Sequence, residues 1–599
     1  MLGPPKAEHR RTGMMSTRMR QLVLMGVATI ICYTLISFNS RNFIGHLSRP
    51  KDAGTAGLRL TVPQREYPWE EDIPSTTFQW KPCYTRKQCS RLIVPLNYSD
   101  PYGEKATIAV IKKPALFPVD SKEYKGPVLL NPGGPGGSGV NFLVGSGDMI
   151  GTILGPQFDI ISFDPRGVGR STPRASFFKS DAERALWGED ISFGLVNNSV
   201  EGVSRTWARA QIVGKLAEES DTGHLRHINT DQTARDMLTI VEAFGQRKIQ
   251  YWGFSYGSVL GATFAAMFPD KVHRLIIDGV ADSEDYYSNL WSKNLLDTDK
   301  ALQTFFTGCV AAGPESCAFH APKASDIAKN LTTILDSLRK QPIPVRTESA
   351  YGLLDYARLK GTILRGLYSP YRSFQPLAKG LSDLVAGDPK TLFKLAEPML
   401  PLFECSCDSP KNLREINDAA KAIMCNDGDD VPGDLESAQK FFDTFIKESQ
   451  WAEVWADGRI GCSGWPKFPK NHFQGPFIAN TSHPILLIGN TADPVTPLWA
   501  AKKMSRGFNN SVVLTQDSPG HCSLAAPSLC TQQHVRDYFL NGVLPKPGTI
   551  CSVSTTPFPR KTLDGEEQFP LGQAMTEEER SMFHAIHALS KTYPITAPF

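Results

Sequence analysis

The chain has 599 residues, and its 64 Lys and Arg against 61 Asp and Glu leave a net charge of +3. That length is more than one ordinary compact domain uses, and 41% hydrophobic with 21% charged residues rules out a disordered chain. The near balance of charge, with no basic stripe interleaved with aromatics, argues against nucleic acid as a partner.

Residues 1–21 carry Lys6, Arg10, Arg11, Arg18 and Arg20 and read as a cytoplasmic tail. They precede an apolar run at 22–38 (LVLMGVATIICYTLISF). A helical span needs roughly 17–25 such residues, so the run predicts a transmembrane signal anchor. The basic flank holds the N-terminus in the cytoplasm and places the rest on the lumenal or exterior side, as in a type II membrane protein. The alternative is a cleaved signal peptide and a secreted product, although no A-x-A-like site follows the run. Residues 39–82 are rich in Pro, Gly and charge and predict a stalk.

The cysteines point to the same compartment. Of 12, only Cys32 lies in the apolar run, and Cys83 with Cys89, Cys309 with Cys317 and Cys522 with Cys530 fall in close pairs. Cys405, Cys407, Cys425, Cys462 and Cys551 complete the set. No spacing has the form of a zinc site, and no metal or organic cofactor is expected. Disulfides are the expectation, with at least one thiol left over because eleven is odd. Asn97, Asn197, Asn330, Asn480 and Asn509 each begin an N-x-S/T sequon, as expected for exposed loops of a glycoprotein.

From about residue 83, short β-like runs alternate with helical patterns, which predicts a mostly parallel sheet with helices on both faces. Strands are expected at 128–130, 158–163, 249–252 and 275–277. A helix carrying Ala234, Met237, Leu238, Val241 and Phe244 is expected behind a capping box at Asn229 and Gln232. Residues 285–465 lose the alternation and read as a large, mainly helical inserted lid between core parts 83–284 and 466–599. Strands return at 484–489 and 512–514.

Gly253-Phe254-Ser255-Tyr256-Gly257 is a G-x-S-x-G sequence between an expected strand and an expected small-residue helix. In that context it predicts a nucleophile elbow, with Ser255 held on a strained turn of an α/β-hydrolase fold. A serine hydroxyl needs a base, and the base needs an orienting acid. Asp493 lies just past strand 484–489 and His521 just past strand 512–514, in the order this fold uses. The loop Asn131-Pro132-Gly133-Gly134-Pro135-Gly136-Gly137-Ser138-Gly139 lacks the G-K-[ST] ending of a phosphate cradle. It suits an oxyanion hole in which Gly134 and the Tyr256 amide donate.

Together with D-P-R-G-V-G-R-S at 164–171, T-A-D-P-V-T-P at 491–497, G-H-C-S at 520–523 and Gly461-Cys462-Ser463-Gly464-Trp465-Pro466, these motifs resemble the proline iminopeptidase and tripeptidyl-aminopeptidase branch of the α/β-hydrolases. The closest likeness is to secreted members with a tripeptidyl-aminopeptidase-like C-terminal segment, over roughly residues 80–555. The resemblance implies Ser255, Asp493 and His521 as nucleophile, acid and base, and Asp164 and Arg166 as supports of the neighbouring loop. Asn131 stands where the iminopeptidases usually carry His, so strict proline specificity is not implied.

The expected chemistry is two-step acyl transfer on a peptide or ester, most simply an exopeptidase acting at peptide N-termini. Asp282, Glu284 and Asp285, just past the strand at 275–277, are candidates for binding a substrate amine, with a solvated acidic loop as the alternative. A carboxylesterase or lipase, or a silent binding protein on the same fold, are the rival readings. An intact set of motifs speaks against the silent protein.

Overall fold

In a computed structural model, residues 67–189, 195–197, 199–348, 350–396, 416–560 and 575–593 are described. The expected tail at 1–21, the apolar run at 22–38, most of the expected stalk and the Cys405 and Cys407 pair lie outside them. No helix among the described residues is long and apolar enough to cross a membrane. The folded unit starts earlier than the expected boundary at 83, because Trp69 is already buried against Cys83 and Cys89.

Among the described residues a ten-stranded sheet has the order β1-β2-β3-β5-β4-β6-β7-β10-β11-β12. Its antiparallel edge is β1 (Lys81–Cys83), β2 (Lys87–Pro95) and β3 (Lys105–Lys113). From β5 (Phe158–Phe163) through β4 (Gly126–Asn131), β6 (Ile249–Phe254), β7 (Val272–Asp278), β10 (Leu486–Ala492) and β11 (Val512–Pro519) to β12 (Ile550–Ser552), every neighbouring pair is parallel. β4, β5 and β6 are buried at every residue, as expected where helices cover both faces. β2 alternates buried and half-buried positions, as an antiparallel edge with one wet face does.

The two-residue period of a strand sorts the core into two layers. Leu129, Tyr251, Leu275, Ile277 and Leu487 join one cluster, while Val128, Leu130, Trp252, Ile276, Leu486 and Ile488 join the other. Helices Thr230–Ala243 and Tyr256–Met267 cover the first layer. Helices Gly139–Leu154, Leu529–Asn541 and Glu577–Thr592 cover the second. The last of these was not foreseen. It starts with a reciprocal capping box between Thr576 and Glu579 and carries Met582, Ile586 and Leu589 into the core. The box expected at Asn229 and Gln232 is only half formed. The Asn229 side chain accepts from the Gln232 amide, but the Gln232 carbonyl accepts from the Tyr98 amide instead of closing the box.

Between β7 and β10 the described residues are mainly helical, with an antiparallel hairpin formed by β8 (Ile343–Arg346) and β9 (Tyr351–Leu354). A second excursion between β5 and helix Thr230–Ala243 joins it. Helix Gly202–Ser220 of that excursion lies so close to the later segment that a Cβ on Gly214 would meet the Gly464 carbonyl oxygen at 1.7 Å. Trp207 Nε1 donates to the Gly433 carbonyl at 2.9 Å across the same contact. The covering region is therefore built from two stretches of chain, where the sequence suggested one.

Among the described residues four disulfides join Cys83 to Cys89, Cys309 to Cys317, Cys425 to Cys462 and Cys530 to Cys551. The suggested pairing of Cys522 with Cys530 does not occur. Cys522 is a buried free thiol whose Sγ lies 3.5 Å from the Asp278 carbonyl oxygen, beneath the loop that carries Ser255. Of the five sequon asparagines, Asn197, Asn330, Asn480 and Asn509 are exposed and Asn97 is half-buried.

Candidate active site

β6 ends at Phe254, and the next residue departs from strand geometry. Ser255 has φ 58° and ψ −121°, and helix Tyr256–Met267 begins immediately after it. Such a conformation is costly for a residue with a Cβ and persists only where the surroundings enforce it. Two glycines remove the obstacles. A Cβ on Gly253 would meet the Gly257 carbonyl oxygen at 2.3 Å and the Tyr251 hydroxyl at 2.4 Å. Gly133, with φ +88°, passes so close that a Cβ there would meet the Phe254 carbonyl oxygen at 2.3 Å and the Ser255 Cβ at 2.8 Å. The Ser255 amide donates to the Asp278 carbonyl at 2.9 Å, which ties the turn to the end of β7. Ser255 is half-buried while its neighbours from 251 to 260 are all buried, so the turn presents this side chain outward.

Asp493 follows β10 and His521 follows β11, both at the carboxyl edge of the sheet where Ser255 sits. His521 Nδ1 lies 3.0 Å from each Asp493 carboxylate oxygen and 3.0 Å from Thr496 Oγ1. Asp493 is fully buried and also accepts from the amides of Val495, Thr496 and Cys522 at 2.8–3.0 Å. Burial alone pushes its carboxyl up, but the His521 ring and these donors outweigh it and hold the group below its ordinary value. His521 Nε2, on the far side of the ring, is buried and has no hydrogen-bond partner, Ser255 included. In a resting enzyme such a contact is commonly open and closes only with substrate bound.

A pocket opens on Ser255. Gly134 and Tyr256 line it together with Thr496 and Tyr368, which both touch His521. Tyr256 is the first residue of its helix, where amides have no intrahelical acceptor. The expected nucleophile and the two expected oxyanion donors thus share one cavity wall. The residues that hold the expected base are on that wall too. No lining residue is charged.

A profile described as alpha/beta hydrolase fold matches residues 126–339, and one described as TAP-like protein matches residues 448–551. Serine protease Hip1 of Mycobacterium tuberculosis is 28% identical over 494 residues, covering 79% of this chain and 90% of that protein. Tripeptidyl aminopeptidase of Streptomyces coelicolor is 28% identical over 488 residues, covering 79% and 84%. Carboxylesterase B of Mycobacterium tuberculosis is 28% identical over 524 residues, covering 85% and 94%. The chain is a serine hydrolase of the α/β-hydrolase fold.

The hydrolase does not bring the expected amine-binding carboxylates to its pocket. Asp282 caps the short helix Ser283–Tyr287, and both its oxygens accept from Lys503 Nζ, at 2.7 and 2.8 Å. Glu284 is exposed and pairs with the same ammonium at 2.7 Å. Asp285 accepts from Ser292 Oγ and the Lys293 amide. Lys503 and local donors therefore occupy these groups, and none of the three lines the pocket.

Asp164 accepts from Ser138 Oγ at 2.6 Å and from the Val140 and Arg170 amides, and so pins the glycine loop to the following turn. The buried Arg166 uses all five of its N–H groups, in a two-point contact with Asp236 and in bonds to the carbonyls of Pro95, Leu96 and His227. Both residues are structural supports.

Asp278, which sequence reasoning passed over, links the two halves of the site. Its carbonyl holds the Ser255 amide, and its carboxylate accepts from the Ser523 amide and hydroxyl at 2.8 and 2.5 Å, two residues beyond His521. Trp252 Nε1 also donates to it, at 3.2 Å. Burial raises this carboxyl to about 6, against the opposing pull of Ser523, Trp252 and His521. The only sequence signal was an aspartate at a strand end.

Gly133→Ala should lower kcat by about 100-fold or more by pushing Ser255 and the expected oxyanion donors apart. Gly145→Ala, where a Cβ meets nothing within 4 Å, should leave kcat unchanged. Steady-state kinetics of the pair checks this, and equal kcat values would refute the clamp. Asp278 titrates higher in the folded chain, near 6, than its ordinary 3.8. Its contribution to stability is therefore complete below about pH 4 and lost as pH rises through about 6. The stability gap between wild type and Asp278→Asn should accordingly narrow from pH 4 to pH 7. Thermal unfolding at four pH values measures it, and a constant gap would contradict the raised titration.

Proposed function

We propose that the hydrolase is an exopeptidase that releases short peptides from peptide N-termini. Ser255 is the nucleophile, His521 the base and Asp493 the orienting acid. His521 Nε2 takes the Ser255 proton as Oγ attacks the carbonyl, and the developing oxyanion rests on the amides of Gly134 and Tyr256. The leaving amine receives the proton from His521, and water then hydrolyses the acyl-enzyme by the same route in reverse. Asp493 keeps its charge beside the imidazolium that forms in each step.

The observation that carries this reading is the Asp493–His521 pair. Its bonded Nδ1 lies 3.0 Å from both carboxylate oxygens, Nε2 is buried and unpartnered, and Thr496 and Tyr368, which touch the ring, line the pocket that opens on Ser255. The relatives named serine protease and tripeptidyl aminopeptidase support peptides as substrates. The uncharged pocket favours release of more than one residue. A single aminoacyl group would place its free ammonium against the apolar wall, whereas in a longer acyl group the ammonium lies beyond it. The four disulfides and the exposed sequons favour the exterior or lumenal side of a membrane, with the run at 22–38 as anchor or leader.

A second reading, a carboxylesterase, is favoured by the same uncharged wall and by the relative named Carboxylesterase B. Hydrolysis of a tripeptidyl amide, the matching aminoacyl amide and the N-acetylated tripeptidyl amide, measured side by side, separates the two. The tripeptidyl amide should exceed each of the others in kcat/KM by about tenfold or more. Equal cleavage of the acetylated form would remove the exopeptidase and leave the esterase.

A further inference from the structure

The wall of the pocket is aromatic and aliphatic, and its polar atoms are mostly committed elsewhere. Tyr256, Tyr286, Trp291, Tyr368 and Trp455 supply rings, and Val259 and Val495 supply methyl groups. Tyr256 reaches past the pocket to Thr230, with its hydroxyl 2.5 Å from Thr230 Oγ1. The Tyr286 hydroxyl donates to Asp427 Oδ2 at 2.7 Å. Asp427 is itself fully buried behind these rings and accepts from the Thr230 amide and hydroxyl at 2.7 and 2.6 Å. It is a carboxylate spent on holding the wall, with no face left for a substrate cation. Tyr286 packs on Trp291 with ring centroids 5.1 Å apart, and Trp291 meets Trp455 at 6.3 Å. Asn294 and Thr496 are further polar side chains of the wall: Asn294 Nδ2 donates to the Val495 carbonyl at 2.8 Å, and Thr496 Oγ1 lies 3.0 Å from His521 Nδ1.

The wall also carries Gly134, Ser255 and Tyr256, and two more of its members, Thr496 and Tyr368, touch His521. A carbonyl attacked by Ser255 with its oxygen on the Gly134 and Tyr256 amides keeps its own substituent in this cavity through both steps. The departing amine has to lie toward His521 instead.

We propose that this aromatic box is the specificity pocket for the residue that donates the scissile carbonyl, and that it accepts uncharged apolar side chains and rejects charged ones. The proposal rests on Ser255 acyl transfer as described above. An apolar side chain displaces water from ring faces and gains contact. A lysine or aspartate would lose its hydration with no opposite charge on the wall to replace it.

The test uses tripeptidyl aminomethylcoumarins that differ only at the residue before the leaving group, norleucine against lysine and leucine against aspartate. The charged member of each pair should fall by about 100-fold or more in kcat/KM. Asn294→Asp puts a carboxylate on the wall, gives up the bond to the Val495 carbonyl so that the new charge turns toward the cavity, and should raise the lysine-to-norleucine ratio by about tenfold or more. Equal turnover of charged and apolar members, or an unchanged ratio in Asn294→Asp, overturns the proposal. If no member is cleaved, labelling by a small fluorophosphonate separates the causes. Labelling of Ser255 without cleavage of the norleucine peptide overturns the pocket alone, and no labelling overturns the acyl-transfer reading and the pocket with it.

Discussion

The site depends on one backbone constraint, the left-handed conformation of Ser255 between β6 and its helix. Holding a serine there costs on the order of 1–3 kcal/mol, which the fold has to supply from neighbouring contacts. It does so from three directions. Gly133 closes from β4, Gly253 lets the elbow fold on itself, and the Asp278 carbonyl takes the Ser255 amide from β7. The Asp278 carboxylate then holds Ser523 beyond His521, so the strand end that sets the serine also sets the loop of the histidine. The free thiol of Cys522 and the end of helix Glu577–Thr592 fill the space beneath, with Tyr593 packed on Phe142 and Phe254. A displaced β7 end would disturb serine and histidine together.

The covering region shapes what reaches that serine. Its wall draws Tyr286, Trp291, Tyr368 and Trp455 from the inserted region, and Asp427 braces Tyr286 directly and Tyr256 through Thr230. The Cys425–Cys462 disulfide closes the helical segment that ends at Asp427 onto the turn before Trp465. Trp465 Nε1 in turn donates to Asn426 at 2.8 Å. The segment that resembles a tripeptidyl-aminopeptidase-like opening thus buttresses the pocket from outside the sheet.

Much of the core was legible in the sequence, because the residues at parallel strand ends carry local signals. A glycine-flanked serine, a glycine-rich loop, an aspartate and a histidine each follow a short apolar run. What escaped lacks such signals. Asp278 looks like any aspartate at a strand end, and its role depends on a partner 245 residues away. The pocket aromatics have no shared spacing, so only the fold reveals that they meet. The acidic run at 282–285 was misleading because Lys503, distant in sequence, neutralises two of its members. Cys309 and Cys317 are eight residues apart and do pair. Cys522 and Cys530 share that separation, yet Cys522 turns under the elbow while Cys530 on its helix faces Cys551. The final helix also escaped, although Thr576, Glu579 and the apolar stripe behind them did carry a signal for it.

Mass spectrometry of the protein after reaction with a fluorophosphonate measures the central claim, that His521 and Asp493 make one hydroxyl nucleophilic. A single phosphonyl adduct on the peptide containing Ser255, abolished by Ser255→Ala and strongly slowed by His521→Ala, is the predicted result. An adduct on another residue, or labelling of Ser255 that proceeds equally fast without His521, would contradict the account.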